Sequence, residues 1–220
     1  MSPSRREVTA AETRAALVDS AIGCFSTQGY EATSVSELTN CAGVSKGSFY
    51  RHFPDKRSIF VETFVQRLRV AARLLVDAEG SLVGQPYGAG VTILAAAAAR
   101  FSMLSVTDPV HRELLRQAPE VLGAELHAAI DDQYVLPSLT SLLGMMHERG
   151  ELTPGLPLAT TSALLLRVVC AGNTLVAASS DPRTVAADVL VALMAFYKGI
   201  VADELRCWLV DFSTEREIAR

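Results

Sequence analysis

Between Ser45 and Pro54 the chain gathers Lys46, Ser48, Tyr50, Arg51 and His52 around two aromatics, Phe49 and Phe53. These polar side chains are donors that suit two kinds of acceptor, the phosphate oxygens and the base edges of a nucleic-acid duplex. Lys46 and Ser48 stand at the front, and Gly47 between them lets a backbone approach closely. Tyr50 and His52 lie further along as phosphate donors. Past Pro54, Asp55 is suited to cap another helix, which puts Lys56 in a first turn where a cation and free N–H groups jointly grip a phosphate. Thr33 offers a matching hydroxyl ahead of Ser34. No activated nucleophile accompanies them, since the chain has no G-x-S-x-G elbow, no Gly-rich phosphate loop and no H-E-x-x-H.

Two short helices and a tight turn must position those donors. Ser34 stands three residues before Glu37, the spacing at which each side chain satisfies a backbone N–H at a helix start. Val35 and Leu38 give that helix its apolar face. In Ala42-Gly43-Val44, the glycine takes a left-handed conformation that stops the helix and the valine plugs the corner. Ser45 then caps a second helix that ends before Pro54, so the pair reads as a helix-turn-helix. A preceding helix opens at a Thr9/Glu12 capping box, carries Leu17, Ala21 and Phe25 at every fourth position, and ends near Gly29.

The segment from Phe25 to Phe60 resembles the N-terminal domain of the tetracycline-repressor (TetR) family. The likeness rests on Gly29-Tyr30-Glu31-Ala32-Thr33-Ser34, on Ala42-Gly43-Val44-Ser45-Lys46-Gly47-Ser48-Phe49-Tyr50-Arg51-His52-Phe53, and on Asp55-Lys56. Ser34 stands where a second threonine is common, a change that keeps the hydroxyl. The resemblance implies a three-helix DNA-binding domain followed by a divergent helical domain that dimerises and binds a small effector. It also implies DNA contacts at Thr33, Ser45, Lys46, Gly47, Ser48, Tyr50, His52 and Lys56.

Charge distribution agrees with a site-directed DNA reader. The formal net charge of −4 argues against indiscriminate coating of nucleic acid, yet residues 45–57 hold four bases against one acid. Cys24, Cys41, Cys170 and Cys207 are scattered without CxxC spacing, which excludes an ordinary zinc module and predicts free thiols that fill the core, with redox sensing through one of them as the alternative. No secretory leader opens the chain, so a reduced cytoplasmic setting is expected, and no cofactor is implied.

Half of the 220 residues are hydrophobic, enough for a core or two, and no stretch alternates as a strand would. The fold expected is all-α with roughly nine helices: a helix-turn-helix domain over residues 1–54 and an effector-binding and dimerisation domain over 55–220. A fourth helix is predicted over 55–79, long enough to connect both domains. Breaks are expected at Asp108-Pro109 and Ala118-Pro119, followed by a helix over 120–149 that Pro137 kinks. Residues 158–179 hold one charge, Arg167, and residues 184–210 are apolar on several sides, as helices of an obligate dimer's four-helix bundle would be. Arg167 and several hydroxyls make a membrane span at 158–179 costly.

Candidate effector-pocket residues are Phe64, Leu68, Phe101, Leu104, Tyr134, Arg167 and Cys170, with Arg167 suited to a carboxylate. Effector binding there would swing the fourth helix and change the spacing of two DNA-reading heads. Two alternatives compete with this dimeric, ligand-responsive repressor. One is an all-helical enzyme or metal-binding protein that uses His127 and Asp131, joined by His111; the other is a protein-interaction scaffold.

Overall fold

A computed structural model describes residues 5–209 as nine α-helices, α1 Arg5–Gln28, α2 Val35–Cys41, α3 Lys46–His52, α4 Lys56–Leu82, α5 Ala89–Thr107, α6 Pro109–Tyr134, α7 Leu136–Glu148, α8 Leu158–Ala178 and α9 Pro182–Ile200, closed by a 3-10 turn over Asp203–Trp208. Among the described residues the only extended pairing is an isolated bridge between Leu152 and Val201. The all-α expectation therefore holds.

The helices fall into two units. One contains the chain up to Arg67 together with Pro109–His127; the other contains Leu68–Asp108 and the chain from Ala128 on. Helices α4 and α6 each supply residues to both.

In the first unit, Leu17, Val18, Ala21 and Phe25 of α1 are buried with Leu38, Phe49, Phe53, Ile59 and Phe60. Phe25, Tyr30 and Phe60 meet pairwise, with ring centroids 5.3–5.6 Å apart, in tilted and edge-on geometries favoured by aromatic quadrupoles. Arg14 closes the unit from outside: its guanidinium donates to Glu62 at 2.8 Å and lies 5.0 Å from the Phe53 ring centre.

In the second unit α8 packs against α5, α7 and α9, and α5 also packs against α9. Helices α5 and α8 are long and apolar enough to cross a membrane; both pack against neighbouring helices of this unit, and Arg167 sits midway along α8 in contact with Asp131 and Asp132. The fully buried Glu151 ties three segments together. Its carboxylate accepts from the Gly88 N–H and from Arg149 Nε, both at 2.8 Å, while Arg149 Nη2 donates to the carbonyls of Gln85 and Pro86. The Glu151 carbonyl in turn accepts from the Ala202 N–H.

Five boundaries differ from those predicted. Helix α1 already starts at Arg5, so Thr9 lies inside it and its carbonyl accepts from the Thr13 hydroxyl. Helix α4 continues through Gly80 to Leu82. Helix α6 runs through Pro119 and is interrupted instead at Gly123, whose φ of 73° and ψ of 160° only glycine adopts without strain. Pro137 starts a helix rather than kinking one: the chain breaks at Val135 and Pro137 occupies the first turn of α7, where a missing N–H costs nothing. The final apolar segment also divides, with α9 ending at Ile200. Val210 and the Trp208 side chain, which that segment is predicted to include, lie outside the described residues.

Helices α8 and α9 approach so closely that a Cβ on Gly172 would stand 2.6 Å from Val189 Cγ1. Gly172→Ala is expected to destabilise the protein by about 1–3 kcal/mol, as overpacking does. Adding Val189→Ala removes the clashing methyl, so urea denaturation should show the double variant less destabilised than the sum of the two single ones.

Candidate functional site

The helix-turn-helix forms as its local signals require. Ser34 Oγ accepts from the Glu37 N–H at 3.2 Å while Glu37 Oε2 accepts from the Ser34 N–H at 2.7 Å, and that second bond holds the Glu37 carboxyl below the usual carboxylate range. Gly43, at φ 67°, turns the chain. The N–H groups of Ala42, Gly43 and Val44 bond back to the carbonyls of Leu38, Asn40 and Thr39, which closes the end of α2. Ser45 Oγ then accepts from the Ser48 N–H at 3.1 Å to start α3.

Helix α3 has two unlike faces. Phe49 is fully buried, and with it α3 docks on the unit's core. Ser45, Lys46, Gly47, Tyr50 and Arg51 are exposed, Ser48 and His52 half-buried, and Tyr50 projects with 56% of its surface open. A groove of about 390 Å³ lies between α1 and α3, lined by Thr9, Ala10, Thr13, Ser48, Arg51 and His52. Its α1 wall is not legible in the sequence, where Thr9 reads as a helix cap. Gly47 has ordinary helical backbone, and the nearest atom to a Cβ placed there is Ser45 Oγ at 3.8 Å. Among the described residues, no contact requires a glycine at 47.

Two residues expected to face DNA are used internally. Thr33 is buried, its hydroxyl donating to the Gly29 carbonyl at 2.7 Å and accepting from Gln28 Nε2 at 3.2 Å. Lys56 Nζ donates to the Tyr30 carbonyl at 2.7 Å and lies 4.1 Å from the Tyr30 ring centre. Both hold the turn between α1 and α2. The capping role given to Asp55 is realised, with its Oδ1 accepting from the Ser58 N–H at 2.7 Å.

The first part of α6 also supports that turn. Gln117, buried, donates from Nε2 to the Phe25 carbonyl at 2.9 Å and accepts at Oε1 from the Tyr30 N–H at 2.6 Å. Arg57 reaches the same stretch, donating to the carbonyls of Val121 and Leu122 at 3.0 and 2.6 Å. These bonds join residues 64 to 92 positions apart, a pairing no local pattern announces.

The second unit contains an apolar cavity of about 50 Å³, lined by α4 (Leu68, Ala71, Leu74, Leu75), α5 (Leu94, Ala97, Ala98, Phe101), Val135, Leu139 of α7, α8 (Leu165, Leu166, Val169, Cys170) and Tyr197 of α9. Of the residues predicted to form a pocket, it brings together Leu68, Phe101 and Cys170, whose thiol is pushed well above its ordinary pKa, first of all by burial. The others stand elsewhere. Phe64 packs edge-on against His127 in the first unit, Leu104 lies further along α5, and Tyr134 sits beneath the Arg69 guanidinium. Arg167 is absent from the lining; it is paired with Asp131 and Asp132 and donates to the Ala128 carbonyl. Tyr197, missed in the sequence because it reads as plain core, is the hydroxyl-bearing residue of the lining, and burial raises its phenol pKa.

A metal site at His127 and Asp131 is not supported: one packs on Phe64, the other pairs with Arg167, and among the described residues no group of three or more His, Cys, Asp or Glu stands together as metal ligands.

Replacing Gln117 with Leu leaves the Tyr30 N–H and the Phe25 carbonyl without their partner. It should destabilise the protein by about 2–3 kcal/mol, measured as a lower urea midpoint at unchanged slope.

Residues 17–63 match the family model for bacterial regulatory proteins of the tetR family, and residues 91–200 match that for the tetracyclin repressor-like C-terminal domain. The HTH-type transcriptional regulator AcrR of Shigella flexneri is 35% identical over 77 residues, 35% of this chain and 36% of the relative. The chain thus spans about a third of that curated relative's length. A TetR-family transcriptional regulator from Pectobacterium atrosepticum has a similar fold, with a TM-score of 0.72, 20% identity, and coverage of 91% of this chain and 98% of that one. RolR in complex with resorcinol superposes with a TM-score of 0.65 at 18% identity, covering 91% and 94% of the two chains.

Proposed function

Because the chain belongs to the TetR family, whose members are transcription regulators rather than enzymes, we propose that it is a cytoplasmic, ligand-responsive repressor that reads a pseudo-palindromic DNA operator as a homodimer. The observation that carries the DNA-reading role is the outer face of α3. Lys46, Tyr50 and Arg51 are exposed around a glycine that no internal contact requires, as suits a helix whose backbone must come close to a duplex. Lys46, Ser48 and the backbone at Gly47 serve base edges or nearby phosphates, Tyr50 and His52 serve phosphates, and Ser45 adds a hydroxyl at the helix start. Thr33 and Lys56 act by fixing the Tyr30 turn. Thr9 and Thr13 extend the surface along α1, across the groove from Arg51 of α3.

Dimerisation through α8 and α9 is supported by their outward apolar residues. Leu164 and Leu175 are each 62% exposed and Phe196 56% exposed, on helices that carry few charges. Two linked heads bind far more tightly than one.

The effector is small and lipophilic, because the cavity lining is almost wholly apolar. At about 50 Å³ the cavity is smaller than the roughly 150 Å³ engineered void that admits benzene, so a ligand must push its walls apart. Four of the lining residues lie on α4, the helix that begins at Lys56 beside the Tyr30 turn. Displacing them alters the spacing of the two heads and releases DNA. That RolR was crystallised with resorcinol supports a small ring compound as a ligand this fold accommodates.

Selection of duplexes from a randomised pool by the purified protein, followed by gel retardation, tests the proposal, and recovery of no inverted-repeat sequence would refute it. Gly47→Ala gives a sharper check. The new methyl fits and alanine favours helix by about 0.5–1 kcal/mol, so stability should hold or rise while affinity for the selected duplex falls at least tenfold. Lys46→Ala should reduce the magnitude of the slope of log K against log salt by about 0.9 for each phosphate that the lysine neutralises. Leu175→Glu with Phe196→Glu should give a monomer by analytical ultracentrifugation, with duplex retardation lost at concentrations where the parent protein binds.

A further inference from the structure

Two thiols face one another in the helix-turn-helix unit without being joined. Cys24, half-buried on α1, donates to the sulfur of Cys41 across 4.0 Å, and Cys41, the last residue of α2, is exposed. The seam between them is held in place. One turn before Cys24, Ser20 donates to the carbonyl of Leu38, three residues before Cys41, at 2.9 Å. A disulfide requires sulfurs about 2.05 Å apart, so roughly 2 Å must close, and the exposure of Cys41 leaves its side chain room to rotate. The remaining cysteines lack such a neighbour: Cys170 lines the cavity, and the Cys207 thiol donates to the Glu204 carbonyl.

We propose that Cys24 and Cys41 are a redox site, a dithiol that closes to an intramolecular disulfide in the presence of a low-molecular-weight disulfide such as oxidised glutathione and reopens with excess thiol. Exposure sets the order of events. The Cys41 thiolate attacks one sulfur of the oxidant, forming a mixed disulfide and releasing one thiol. Cys24 then loses its proton and attacks Cys41 Sγ, expelling the second thiolate, which is protonated. Two protein thiols are oxidised by two electrons and one disulfide is reduced to two thiols. Burial and the neighbouring Cys41 sulfur push the Cys24 thiol above its ordinary pKa, which suits the second, intramolecular step rather than the first. The link forms at a sensitive place: Ala42, Gly43 and Val44 follow Cys41 directly, and their N–H groups bond back into α2 to set the direction in which α3 departs. Oxidation therefore fixes the root of the exposed helix to α1.

The test incubates the full chain with oxidised glutathione under native conditions, then uses intact mass, thiol counting and peptide mapping. Expected are loss of two of the four thiols, a mass decrease of about 2 Da, a peptide joining Cys24 to Cys41, and full reversal by dithiothreitol. The product should form in Cys170→Ser/Cys207→Ser and be absent from Cys24→Ser and from Cys41→Ser, both of which should keep the parent's helical circular dichroism. The oxidised protein should melt roughly 5 °C higher, since the bridge closes a short loop in the unfolded chain. A persistent glutathione adduct on Cys41 with Cys24 still free, a link between two chains, or no loss of thiols would each overturn the proposal. These readouts follow sulfur alone, so their outcome is independent of whether the protein reads DNA.

Discussion

Burial of Phe49 is the constraint on which the exposed face of α3 depends. A helix of seven residues has too few hydrogen bonds to persist alone in water, and it exists here because one side is docked on a core. That docking fixes the rotation of the helix about its axis. With Phe49 inward and Phe53 buried just past its end, Lys46, Gly47 and Tyr50 can only face out. The aromatic cluster of Phe25, Tyr30 and Phe60 gives the core its rigidity, and the polar bonds around Tyr30 keep the α1–α2 turn in register with it.

What could be read from the sequence was what depends on neighbouring residues. The Ser34–Glu37 box, the Gly43 turn and the Ser45 cap are complete within a few positions, so their chemistry is visible without a fold. The bonds that Thr33 and Lys56 make to the Gly29 and Tyr30 carbonyls were not visible. Both are donors of the right kind for phosphate, yet the turn at Gly29 and Tyr30 presents carbonyls that take their hydrogen bonds first. The pairing of Arg167 was hidden at longer range, because its acidic partners lie 35 and 36 positions away on another helix. The prolines misled in a different manner. A proline restrains its own φ and the residue before it, but whether it ends, kinks or opens a helix depends on which neighbours supply the missing bonds, and that is decided by packing.

The apolar cavity illustrates how core and pocket share one chemistry. Leu68, Phe101 and Cys170 were separable from ordinary core only by their position around an unfilled volume, and Tyr197 was not separable at all. The volume is modest, and such a void weakens dispersion contacts in the helices around it.

The bonds from Gln117 and Arg57 have a practical bearing on chimera building. A graft that transfers only residues 1–54 leaves behind the side chain that satisfies the Phe25 carbonyl and the Tyr30 amide, and one extended through Arg57 still lacks the carbonyls that anchor its guanidinium. The transplantable module is discontinuous, made of the N-terminal helices and a strut borrowed from the middle of the chain. Recombination between relatives that respects only the linear boundary would produce heads with an unsupported corner, whereas exchange of both stretches together would move a self-consistent piece.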